Sequence, residues 1–175
     1  MDYKVLMQQA ITLAKEAAIK GDVPVGALVV DDFGNVVGQG ANLRQQDNDP
    51  TAHAEIVAIR NAAKKMGNYR LDELTMVVTL EPCGMCAGAI AQSRIKRLVF
   101  GSFDEKYGAV GSVWDLLRDT RAIYKPEVLS GVLEKECGEL LTILDDTELY
   151  PDEQLEAIAN RLGFGDQFNQ VIESN

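Results

Sequence analysis

Two cysteines stand three apart, directly after a proline, in Leu80-Glu81-Pro82-Cys83-Gly84-Met85-Cys86. Upstream, in Thr51-Ala52-His53-Ala54-Glu55, lies the only histidine of the chain, two residues before a glutamate. Thiolate and imidazole are the ligand types that hold zinc, and His53, Cys83 and Cys86 make three of them, which leaves a fourth tetrahedral position for water. Zinc draws the pKa of such a water towards neutrality. With no second histidine to carry protons, Glu55 is the candidate general acid–base. A Cys-x-x-Cys pair alone fits two other chemistries, a redox pair or half of a structural zinc site. A closed site of three cysteines and one histidine, with Cys137 as fourth ligand, is a further competitor. It gives Glu55 no task, and Cys137 falls in an apolar stripe where a free cysteine serves as a small core residue.

These side chains need elements to position them. The apolar run Thr75–Leu80 reads as a strand, and the small-residue run after the cysteines as a helix over about Cys83–Ser93. Pro82 suits the first helical position, where a missing N–H costs nothing. Cys83 and Cys86 then share one face of the first turn, where free N–H groups and the positive end of the helix dipole favour thiolates. His53 and Glu55 are two apart and cannot share a helix face. They must therefore flank a metal from the very start of a helix over about Thr51–Met66. Elsewhere the periodicity predicts a helix over Tyr3–Lys20 ended by Gly21, a hairpin of strands Val23–Val30 and Val36–Ala41, and a strand over Arg97–Gly101. It also predicts a short helix over Val113–Leu117, a strand over Pro126–Leu129 and a helix over Leu133–Leu144. Strands and helices alternating in this way predict a sheet with helices on both faces. Both halves of the metal site then fall at helix starts on one side of it.

At 175 residues the chain suits one domain with a sizeable core. Three cysteines, two of them assigned to metal, argue for a reducing compartment rather than a disulfide scaffold. No apolar run approaches the length that spans a membrane, and the N-terminus has no unbroken apolar signal region. The expectation is a soluble cytoplasmic protein. Charge is uneven: of the net −10, the stretch from Glu134 onward, with 11 acidic and 2 basic residues, carries −9, and the rest −1. Residues 1–144 form the expected catalytic domain, and residues 145–175 an acidic extension with a helix over Pro151–Leu162. That helix could pack on its own domain, dock a partner or hang as a loose tail.

The pattern His-x-Glu with Pro-Cys-x-x-Cys is the signature of zinc-dependent nucleobase deaminases. Residues 3 to about 141 resemble, more closely, the bacterial tRNA-specific adenosine deaminases of the TadA type. The likeness runs through Gly21-Asp22-Val23-Pro24-Val25-Gly26-Ala27, Asn42, Asp49–Glu55, Thr79–Ala89, Ser93-Arg94-Ile95 and Gly108–Ser112. The resemblance implies a cytidine deaminase-like three-layer α/β/α sandwich on a five-stranded mixed sheet. It implies a homodimer, Zn²⁺ as cofactor, and conversion of the wobble adenosine of an anticodon arm to inosine. It further implies that Val25, Asn42, Ala54, Leu80, Glu81 and Pro82 contact substrate, partly through backbone groups. The chain departs from that family at Ile123-Tyr124, where Asn-His is common, and after Leu144, where an aromatic, basic helix is replaced by acid.

The leading expectation is hydrolytic deamination of adenosine in tRNA. The alternative is a free-base or nucleoside deaminase acting on guanine, cytosine or a related heterocycle, which needs the same metal site and no RNA surface. Candidate phosphate partners are Arg44, Arg70, Lys96, Arg97, Lys106, Arg118, Arg121 and Lys125. An RNA-binding subunit with an inert zinc site is a third class, against which Glu55 speaks.

Overall fold

The computed structural model describes residues 1–145, together with Asn160 and Gly163. The acidic extension and its expected helix lie outside the described residues. Nine elements follow one another: α1 (Tyr3–Ile19), β1 (Gly26–Val30), β2 (Val36–Ala41), α2 (Ala54–Met66), β3 (Thr75–Leu80), α3 (Gly84–Ser93), β4 (Arg97–Ser102), β5 (Glu127–Leu129) and α4 (Glu134–Asp145). The sheet order is β2-β1-β3-β4-β5. β1 runs antiparallel to both β2 and β3, while β3, β4 and β5 are mutually parallel, so the sheet is mixed, as expected.

Alternation along the strands divides the core in two. Ala27, Val29, Met76, Val78, Leu98 and Phe100 face α2 and α3. Leu28, Val30, Val77 and Val99 face α1 and α4. The central strands are therefore apolar on both sides, as strands covered on both faces must be. The result is the three-layer sandwich.

Helix α2 lies unusually close to β2. A Cβ on Gly38 would sit 2.5 Å from the Ala62 nitrogen, and one on Gly40 would sit 2.4 Å from the Ala54 carbonyl oxygen. The glycines meet the stripe Ala54, Ala58 and Ala62, one small residue per turn, and all three alanines are fully buried. This packing fixes where α2 begins, and hence where His53 and Glu55 stand.

Two expected elements differ. Residues 113–117 form turns, not a helix, with an isolated bridge between Val110 and Asp115. The backbone N–H groups of Val113, Trp114 and Leu116 are taken by the Gly108 and Ala109 carbonyls, which leaves no helical ladder to form. Pro82 does not open α3. Its carbonyl accepts from Ala109 N–H at 2.9 Å, and Cys83, extended at φ −70 and ψ 174, is the N-cap.

Candidate metal centre and reaction cavity

Both halves of the metal motif stand at helix N-caps. His53 precedes α2 with extended backbone (φ −70, ψ 153), and Cys83 does the same for α3. An N-cap side chain normally accepts from the first free N–H groups of its helix. Neither does so here, because both turn inward to one point. His53 Nδ1 lies 3.7 Å from Cys83 Sγ and 3.6 Å from Cys86 Sγ. Among the described residues these three are the group whose donor atoms converge, all within 4.8 Å of one another. A tetrahedral ion with a nitrogen at about 2.1 Å and a sulfur at about 2.3 Å needs roughly 3.6 Å between the two. The trio fits zinc without rearrangement.

Its electrostatics ask for a cation. A hydrogen bond from the Cys86 thiol, aided by His53, holds the Cys83 thiol down to about 3. Cys86, bonded to that thiolate and buried, is pushed up. The Cys83 sulfur raises His53. Three donors thus share protons that a divalent ion would displace.

Cys137, the rival fourth ligand, is on the other face of the sheet, packed among the residues facing α1 and α4. A closed site of three cysteines and one histidine is therefore ruled out. Cys137 is 2 % exposed, and burial raises its thiol to about 12.

Glu55 follows His53 by two residues and is also buried. Desolvation raises its pKa, which suits a group that must hold a proton near neutral pH. Beside the trio opens a cavity of about 450 Å³. Val25, Asn42, Leu80 and Glu81, four of the six expected substrate contacts, line it with His53, Glu55 and Cys83. Ala54 and Pro82 are buried and do not line it. Val23, Arg44, Pro50, Asp104 and Tyr107 complete the wall and were not singled out as substrate contacts by the sequence.

Two of these lining residues are organised by buried carboxylates. Asp22 Oδ1 accepts from Asn42 Nδ2 at 2.8 Å, and its Oδ2 accepts from Gln45 N–H at 2.9 Å. Glu81 Oε1 accepts from the N–H groups of Val110 (2.8 Å) and Ser112 (3.1 Å). Its Oε2 accepts from Asp104 N–H (3.1 Å) and from the Ser112 hydroxyl. Glu81 thus spends its carboxylate on the loop after β4, while the residue itself lines the cavity. Of the expected phosphate partners, Arg70, Lys96, Arg97, Arg118 and Arg121 each form an ion pair with a nearby carboxylate. Arg44 lines the cavity.

The profile of the cytidine and deoxycytidylate deaminase zinc-binding region matches residues 1–102, and the chain belongs to that family of zinc-dependent deaminases. It is 53 % identical over 137 residues to a tRNA-specific adenosine deaminase of Haemophilus influenzae, covering 78 % of this chain and 79 % of that one. It is 46 % identical to a tRNA-specific adenosine deaminase of Bacillus subtilis, covering 78 % and 84 %. Among solved structures, one from a study of A-to-I editing by tRNA:A34 deaminases at the wobble position superposes with a TM-score of 0.75. It is 42 % identical and covers 77 % of this chain and 97 % of that one.

Proposed function

We propose that the chain converts adenosine to inosine at the wobble position of a tRNA anticodon, releasing ammonia. The observation that carries this reading is the convergence of His53, Cys83 and Cys86 beside buried Glu55 at one cavity. Its specificity for tRNA is supported by the identity shared with tRNA-specific adenosine deaminases. His53 through Nδ1 and both cysteine sulfurs would hold zinc, which when bound acts as a Lewis acid and brings water to a reactive pKa near neutrality.

Glu55 accepts a proton from the attacking water and returns protons to the base and to the departing amine. Its burial favours the protonated form it must pass through. Asn42, Val25 and Leu80 hold the nucleoside against the metal trio, and Arg44 is the cation nearest to receive a phosphate. Anticodon loops present unstacked bases, so no duplex need be opened.

The chain works as a homodimer. Support comes from exposed Met85, Val113, Trp114 and Leu116 beside the start of α3, where Leu116 lies 3.7 Å from a Cβ placed on Gly84. Among the described residues no helix is long and apolar enough to cross a membrane, and a tRNA substrate would favour a reaction in the cytoplasm. The test is a direct comparison of inosine formation in a transcribed anticodon stem-loop with ammonia release from free bases. Ammonia from guanine or cytosine with no inosine in the stem-loop would replace this reading by the free-base one.

A further inference from the structure

The loop after β4 is fastened to the metal-ligand segment at several points. Glu81 binds it from within through Asp104, Val110 and Ser112. Ala109 N–H donates to the Pro82 carbonyl at 2.9 Å, and Gly108 bridges Cys83 itself. Inside the loop, one oxygen of the Asp104 carboxylate accepts from the N–H groups of Lys106 (2.9 Å) and Tyr107 (3.1 Å). The Asp104 carbonyl accepts from Gly108 N–H at 2.9 Å. Gly108 has no room for a side chain, since a Cβ would come within 2.5 Å of the Glu81 carboxylate. Tyr107 therefore stands one residue from a bridge to a metal ligand, with its backbone N–H held by the Asp104 carboxylate.

The Tyr107 side chain is placed differently from its backbone. Tyr107 is 66 % exposed, yet it lines the reaction cavity. A lone exposed aromatic residue is ordinary on a protein surface. An exposed aromatic residue that lines a reaction cavity, on a loop whose backbone is hydrogen-bonded from beneath, is positioned by that backbone, so only its side-chain rotamer is left to order when a ligand arrives. The cavity, about 450 Å³, is in the lower half of the range for ligand pockets. It has room for one nucleoside, so the nucleotides on either side of a target adenosine must lie at its rim. Unstacked bases of RNA loops are taken up on aromatic rings, and this contact tolerates any base because each has a π-face.

We propose that Tyr107 is the platform on which a base adjacent to the target adenosine stacks. It would favour an RNA loop over a free nucleoside. The proposal rests on the tRNA reading above, and the two are tested separately. Inosine formation by the wild-type zinc enzyme in an anticodon stem-loop is measured first, and its absence would sink the tRNA reading before any change at Tyr107 is made.

Stem-loops are then made with 2-aminopurine on the 5′ or the 3′ side of the target, and bound to zinc-loaded protein carrying Glu55→Ala so that the RNA stays unreacted. In that background the Tyr107 ring should quench 2-aminopurine at one of the two positions. Adding Tyr107→Phe should keep the quenching and the affinity. Adding Tyr107→Ala should abolish the quenching and weaken binding by roughly 5- to 150-fold, the span that stacking one base on an aromatic ring is worth, with zinc content unchanged. Equal quenching and affinity with Tyr107→Ala would overturn the proposal. So would a Tyr107→Phe protein as weak as Tyr107→Ala, which would make the hydroxyl the contact. A change in oligomeric mass with Tyr107→Ala would place the ring between two chains and overturn it as well.

Discussion

The two faces of the sheet are built from the same strands and cover themselves in the same way, with two helices each, yet one is inert and the other is reactive. The cysteines measure the difference. On the face of α1 and α4, Cys137 is buried among aliphatic side chains, and burial raises its thiol to about 12. On the face of α2 and α3, Cys83 is held down to about 3 by the Cys86 thiol and His53. Burial alone makes a cysteine inert. Reactivity appears where two helices begin together beyond the C-terminal end of a strand, so that their cap positions and first turns converge. In open α/β sheets that end is where ligands bind. The N-caps His53 and Cys83 are free to face each other because neither side chain caps its own helix.

The sharpest way to break this contrast is to remove sulfur from each face in turn. Cys83→Ser, Cys86→Ser and His53→Ala should each lose zinc and all activity, while Cys137→Ser should retain about one zinc per chain, the open-site stoichiometry. Metal analysis of the purified proteins decides it, and a zinc-free Cys137→Ser protein would contradict the separation of the two faces. Next in size, Glu55→Ala should keep fold and zinc and lose activity by ~10²–10⁴-fold, the range for a positioned acid–base group. A Glu55→Ala protein with a rate close to wild type on the stem-loop would remove the proton-carrier role.

How far this was legible in the sequence follows from where each piece of information resides. The metal trio is legible because its residue types are scarce and its spacing is local: one histidine, and two cysteines three apart. Helix stripes and turn residues gave most element bounds to within a few positions. What failed depended on contacts distant in sequence. The expected helix at Val113–Leu117 is unmade by carbonyls of Gly108 and Ala109. Glu81 is implied as a substrate contact by the resemblance and does line the cavity, but its second task, holding the loop after β4, was not legible because its partners lie 23 to 31 residues on. Asp22 stands in the sequence only as part of the Gly21–Ala27 likeness, but it is buried and holds Asn42. Tyr107 carries no local signal at all. Its place at the cavity is set by the pinning of its loop to Glu81, Pro82 and Cys83.

A smaller perturbation sharpens the comparison by touching backbone on both faces. A Cβ on Gly26 would meet the Ala10 carbonyl oxygen of α1, and one on Gly40 would lie 2.4 Å from that of Ala54 in α2. Gly26→Ala and Gly40→Ala should each destabilise the fold by about 1–3 kcal/mol, the usual cost of overpacking. Only Gly40→Ala should displace the start of α2, and with it His53 and Glu55. Chemical denaturation read beside activity separates the two. At equal loss of stability, Gly40→Ala should lose kcat while Gly26→Ala keeps it, and matching kcat values would show that the start of α2 is not held by β2.

The gentlest probe is pH, and it addresses the inert face alone. Burial raises the Cys137 thiol from its ordinary value to about 12 in the folded chain, so the unfolded chain gives up this proton first. The stabilisation from burying a neutral thiol is therefore complete below the unfolded value. It is lost progressively as pH rises through 9 towards 12. The full slope is about 1.4 kcal/mol per pH unit, and because a free thiol titrates at ~8.5, wild type should lose about 1 kcal/mol between pH 8 and 9.5 from this group. Cys137→Ala has no such proton to lose. Its stability at neutral pH should be lower, because a buried sulfur has gone, but its decline over the same alkaline range should be shallower by that amount. Denaturant unfolding of both proteins at pH 8 and pH 9.5 measures the difference of differences, in which tyrosines, lysines and the metal ligands are common to both chains and cancel. Parallel declines would mean that the thiol reaches water in the folded state, and that the face of α1 and α4 is less closed than its packing implies.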